Sequence, residues 1–168
     1  TSKFSDLLTS YAAKGQYPVN SAMEIRVTGL DDPSRVATPH AGLVRSPTIS
    51  ALCQDESDLA NGWDVAVWFD VLTIPGTPNS NEFYTDLEAW LLTRFSGTAG
   101  RTLPEWSKGW AYTAEGPWTS SQFLAHVRQA FSDGRPDDAT WAHQAATLAG
   151  YDKAGLFWAP FLHELFEG

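Results

Sequence analysis

Apolar and polar residues alternate without a break from Met23 to Leu30: Met23, Ile25 and Val27 point one way, Glu24, Arg26 and Thr28 the other. This predicts a strand with one buried apolar face. A second strand is predicted over Trp63–Ile74, rich in β-branched and aromatic residues on both faces and interrupted by Asp70; such a run suits a central, covered strand. Helical spacing marks the other segments. Phe4, Leu7, Leu8 and Tyr11 form one stripe over Lys3–Lys14, stopped by Gly15. Asn79 with Glu82 reads as a capping box for a helix whose buried stripe is Phe83, Leu87, Trp90, Leu91 and Phe95. Thr119–Gln122 reads as another, for a helix to about Phe131 that buries Phe123, Val127, Ala130 and Phe131. A further helix starts at Asp137 or Asp138 and runs to about Ala149, with Trp141, Ala145 and Leu148 facing inward, and a last short helix covers Pro160–Phe166. Residues 33–62 are poor in pattern: a short strand at Thr48–Leu52, then a solvated polar loop over Gln54–Gly62. The predicted class is α+β, an antiparallel sheet with helices on one face, followed by a helical C-terminal tail.

Composition narrows the function. The 168 residues include eight Trp, nine Phe and five Tyr, enough aromatic area for a large core or an apolar pocket. The net charge of −9 argues against a nucleic-acid partner, which needs clustered Lys and Arg. No apolar run is long enough to span a membrane, and no signal peptide opens the chain. Cys53 is the single cysteine and the four His are scattered, so neither an internal disulfide nor a metal site is expected.

The candidate chemistry lies on the two strands and in one loop. Glu24 and Arg26 sit about 6–7 Å apart along one strand face, either as a solvated pair or as part of a cavity wall. Asp70 needs a partner if buried, as a structural hydrogen-bonded group or beside the same cavity as Arg26. Lys108 stands between Trp106 and Trp110, as a snorkelling surface residue or as a positive charge inside a pocket.

Three motifs in order, Glu24-Ile25-Arg26, Pro104-Glu105-Trp106-Ser107-Lys108 and Asp152-Lys153-Ala154-Gly155-Leu156-Phe157, resemble the C-terminal part of the vanillyl-alcohol-oxidase family of flavoprotein oxidases. With Trp63–Pro78 and Glu105–Trp110 they look most like the covalent-FAD cholesterol oxidases. The resemblance implies that residues 1–110 belong to the substrate-binding cap and 111–168 to a helical return segment towards the FAD domain. It implies FAD, bound mainly by an N-terminal portion outside this chain, and oxidation of a secondary alcohol, such as a sterol, to a ketone, with oxygen reduced to hydrogen peroxide. Glu24, Arg26 and Lys108 are then the catalytic candidates, and Asp70, Trp68, Phe69, Trp106 and Trp110 the substrate-binding ones. Two positions depart from the family pattern: Glu105 stands where His is frequent, and Lys153 where Pro is usual.

Two rival readings remain at this level. One is a stand-alone binding module for an apolar or carbohydrate ligand, without redox activity. The other is an assembly domain that pairs through an exposed apolar face. A cap severed from its partner would also expose such a face and could form a homodimer.

Overall fold

The computed structural model describes residues 2–30, 48–97, 100–108 and 119–167. Helix α1 (Ser2–Ala12) leads to strand β1 (Met23–Gly29); then come a short helix α2 (Glu56–Ala60), strand β2 (Val65–Val71) and the long helix α3 (Ser80–Arg94). Strands β3 (Ser96–Gly97) and β4 (Gly100–Arg101) form a small antiparallel pair. The C-terminal part is helical: α4 (Ser121–Ala130), a 3₁₀ turn (Asp137–Ala139), α5 (Trp141–Tyr151) and α6 (Pro160–Glu167). This is the α+β class expected, strands interspersed with helices and then a helical end.

Strands β1 and β2 pair with each other. Leu72 N–H donates to the Ala22 carbonyl at 3.0 Å, and Leu30 N–H to the Asp64 carbonyl at 2.9 Å. Equal lengths of chain separate the two bonds on each strand, so the register is antiparallel and free of bulges. Glu24 lies opposite Asp70, Arg26 opposite Trp68, and Ile25 opposite Phe69. Even-numbered residues of both strands therefore share one face and odd-numbered residues the other.

The chain divides into two compact units, Thr1–Val27 with Val67–Thr102 and Lys108–Ser120, and Thr28–Ala66 with Leu103–Ser107 and Ser121–Gly168. In the first, Phe4 and Tyr11 of α1 pack on Phe83, Tyr84 and Leu87 of α3, with Phe69 and Val71 of β2 against them. Phe4 meets Phe69 edge-on at 5.0 Å, and Tyr84 donates its hydroxyl hydrogen to the Val71 carbonyl. This core covers one end of the odd-numbered sheet face. At the other end Val27 and Val67 are exposed, and even opposite Val71 and Phe69 the β1 residues Met23 and Ile25 are half in water. The expectation of a wholly buried apolar face, and of β2 as a covered central strand, is thus corrected. Among the described residues each strand has a single neighbour.

The core of the second unit is aromatic. Trp141 stacks on Phe166 at 4.7 Å, and Trp106 meets both edge-on. Phe123, Leu124, Val127, Phe131 and Leu165 are buried with them.

Five local expectations are corrected. Asn79 has a left-handed backbone (φ 63°) and makes no side-chain cap bond; its amide reaches Glu82 instead. The segment over Gln54–Gly62 is not all loop, because Asp55 and Asp58 form a reciprocal capping box that starts α2. Aspartate replaces the longer Glu or Gln usual at that third position, which hides the signature. Thr48–Leu52 makes bends and a turn rather than a strand. Helix α5 starts after Thr140, whose hydroxyl accepts from His143 N–H, and Leu148 faces solvent rather than the core.

Candidate active site

The even-numbered face of the β1–β2 pair carries the polar residues. Arg26 lies between two carboxylates: its Nε is 3.3 Å from Glu24 Oε1 and its Nη2 is 3.0 Å from Asp70 Oδ2. The alternation of β1 puts Glu24 beside Arg26, and the register puts Asp70 opposite Glu24 and one step diagonally from Arg26. The guanidinium is therefore held by two strands at once, its planar fork matched to carboxylate oxygens on either side. All three side chains retain contact with water, so the pairing adds little to stability, in the range of about 0–1 kcal/mol per exposed pair. What it supplies is a fixed orientation of an obligatory cation.

Trp68 is the next residue of β2 on this face. Lys108 Nζ lies 4.7 Å from the centre of its ring, a cation–π contact. Lys108 is exposed, at the end of the turn that follows Pro104. Two cations and two carboxylates, brought from three separate stretches of sequence, thus share one sheet surface with an indole as its floor.

Phe69 points to the opposite sheet face and packs on Phe4. Trp106 belongs to the second unit, where its indole N–H donates to the Ile49 carbonyl and its ring packs on Trp141 and Phe166. Trp110 falls outside the described residues. Among the described residues the aromatic partner of Lys108 is Trp68, on strand β2, rather than Trp106. Its parity with Asp70 along β2 was the signal that places it on this face. A cleft of about 290 Å³ in the second unit, lined by Ile49, Ser50, Glu105 and Ser107 among others, is just below the usual ligand-pocket range of roughly 300–1,000 Å³.

A protein-family model described as "Cholesterol oxidase, substrate-binding" matches residues 1–167. The chain belongs to that family. Among solved structures, a solvent-stable cholesterol oxidase is 42% identical, with a TM-score of 0.85 over 98% of this chain. The cholesterol oxidase from Brevibacterium sterolicum is 33% identical, also at 0.85, and a point mutant of it scores 0.84. No curated protein matches. The chain spans 30% of the length of each of these cholesterol oxidases. It corresponds to the substrate-binding domain, a fragment of the length at which those oxidoreductases are solved.

Proposed function

We propose that this chain forms the substrate-binding wall of a flavin-dependent sterol oxidase, which converts a secondary alcohol and oxygen into a ketone and hydrogen peroxide. The observation that carries this reading is the convergence of Arg26, Glu24, Asp70 and Lys108 on one face of the β1–β2 pair, in a chain of the cholesterol oxidase substrate-binding family. In this reading residues 1–110 are part of the cap and 111–168 the segment returning to an N-terminal FAD-binding portion.

The donor set fits a minor share of an FAD site. Lys108 supplies a fixed cation for an anionic ring edge, while the sequence contains no G-x-G-x-x-G turn to cradle a pyrophosphate. FAD would therefore be held mainly by the remainder of the longer polypeptide, with Lys108 as the contribution of this chain. When bound, it supplies the acceptor for hydride and the route of the electron pair to oxygen.

The residues of this chain do the rest. Arg26, always charged, donates to the hydroxyl oxygen of the substrate and stabilises negative charge as its proton leaves. Glu24 is within reach of the same space and accepts that proton, directly or through a water. Asp70 keeps Arg26 turned towards the face. Trp68 anchors Lys108 and offers a flat apolar surface to a rigid ring system, whose burial is worth about 25 cal/mol per Å².

The test is peroxide formation by the polypeptide extended to the length of its relatives, with cholesterol, a sugar alcohol and a simple secondary alcohol as substrates. The sterol should be preferred. Arg26→Ala should lower kcat by about 10²-fold or more, in line with the loss of a main charge-stabilising donor. A preferred sugar alcohol, or an Arg26→Ala variant as active as the parent, would overturn the reading.

A further inference from the structure

The register of β1 on β2 is weakly fixed by the usual devices. The strands are joined through the long stretch after Gly29 rather than by a hairpin turn, and the apolar face of β1 is half in water, so burial holds it loosely. At one end of the pair a side chain takes over. Leu72 N–H bonds the Ala22 carbonyl, so the next rung sets Ile74 opposite residue 20. There the acceptor is not the backbone: Ile74 N–H donates to Asn20 Oδ1 at 2.9 Å. The Thr73 hydroxyl lies 2.9 Å from that same oxygen and 2.9 Å from the Pro18 carbonyl. The Asn20 amide donates to Thr77 Oγ1 at 2.8 Å, and the Thr77 hydroxyl donates to the Ile74 carbonyl at 2.7 Å. Ile74 and Thr77 bracket a turn, closed by Thr77 N–H on the Ile74 carbonyl at 3.1 Å, with Pro75 and Gly76 (φ 83°) at its centre. One asparagine thus ties the start of β1 to the end of β2 and to the turn that follows it.

The clamped end is the end that carries the charges. Glu24 and Asp70 face each other on the rung of the same face that follows Ala22 and Leu72, and Arg26 bonds both carboxylates. All three side chains are in contact with water, so where they meet follows from where the two backbones lie. Pro18 is buried and Val19 packs on the core of α1 and α3, which fixes where the chain enters the sheet but not how β1 lies along β2. A strand whose last rung is lost frays from that end. We infer that Asn20 is a positioning residue of the proposed site: its side chain keeps the ladder closed beside Glu24 and Asp70, and so keeps the Arg26 guanidinium turned to the face that receives the substrate hydroxyl. Asn20 stands about 13 Å along the strand from Glu24, by the rise per residue, and acts through the backbone alone. Its effect on turnover rests on the oxidase reading above; its effect on Arg26 does not.

Graded variants test it. Asn20→Leu keeps the size and removes every bond, while Asn20→Asp keeps the acceptor oxygens and loses the donation to Thr77. Asn61→Leu is the control: it removes another exposed amide, bonded to the Ser57 carbonyl in the second unit. In the 168-residue chain, NMR follows solvent exchange of the Leu72 amide and of the Arg26 Nε–H. Both should exchange at least about tenfold faster in Asn20→Leu, and within about twofold of the parent in the other two variants. In the polypeptide extended to the relatives' length, kcat for peroxide formation should fall about tenfold in Asn20→Leu with KM within about twofold, as for a displaced rather than a missing donor. Asn20→Asp should restore it. Asn20→Ser, too short to reach Ile74 N–H, takes the place of Asn20→Leu if the latter loses its circular-dichroism signal. Parental exchange in Asn20→Leu overturns the inference, as does Asn20→Asp exchanging as fast as Asn20→Leu, or faster exchange with kcat unchanged. An equal fall of kcat in Asn61→Leu does so too, because it marks a general loss of stability. Exchange needs neither flavin nor turnover. If the extended parent forms no peroxide, the oxidase reading alone is lost, and the Arg26 Nε–H decides the positioning.

Discussion

Arg26 shows how much one side chain depends on its position along a strand. Moved by one residue it would point to the apolar face, and neither Glu24 nor Asp70 would meet it. Replacing Asp70 by Asn leaves Arg26 one carboxylate short and freer to swing. Under the proposed mechanism kcat should fall by about tenfold with KM little changed, read from peroxide formation in the extended polypeptide; an unchanged kcat would show that Asp70 does not orient Arg26. A different residue sets a pH dependence. Glu88 is buried on α3, and its Oε2 has no partner among the described residues; burial raises its pKa from 4.5 to about 7. The folded chain keeps it neutral where the unfolded chain ionises it. Its contribution is therefore fully present below about pH 4.5 and is lost as pH rises towards 7. Glu88→Gln should flatten this decline, stabilising the chain at pH 8 relative to pH 5 by on the order of 2 kcal/mol. Denaturant unfolding at the two pH values reads it, and parallel pH profiles for parent and variant would contradict it.

At the scale of elements, strong periodicity was legible and local side-chain chemistry was not. The stripe of α1, the strand at β1 and the buried residues Phe83, Leu87, Phe123, Val127 and Trp141 follow from spacing alone. Helix α2 escaped because five residues carry too little pattern, and its start depends on two aspartates bonding each other's backbone. Asp55→Ala should therefore destabilise the second unit by about 1 kcal/mol, seen as a lower unfolding midpoint; an unchanged midpoint would mean that the capping box adds nothing. Of the site, the pairing of Glu24 with Arg26 was readable from alternation. The pairing of Lys108 with Trp68 was not, because it depends on where a turn far along the chain comes back to the sheet.

The whole chain shows why parts of the sequence look wrong for an isolated domain. Val27 and Val67 on the sheet, and Leu156 and Phe157 on the α5–α6 loop, are apolar where the structure exposes them. Sequence pattern reports the surroundings in which a residue normally sits, and this chain covers 30% of the oxidases it resembles. The measurement that tests the central claim most directly is anaerobic mixing of cholesterol with the flavin-loaded, extended polypeptide, followed at the visible flavin absorption band. The account predicts rapid bleaching by the sterol, slowed by about 10²-fold in Arg26→Ala and in Lys108→Met with flavin still bound. Bleaching at the parent rate in both variants would contradict it, as would a flavin that the sterol leaves oxidised.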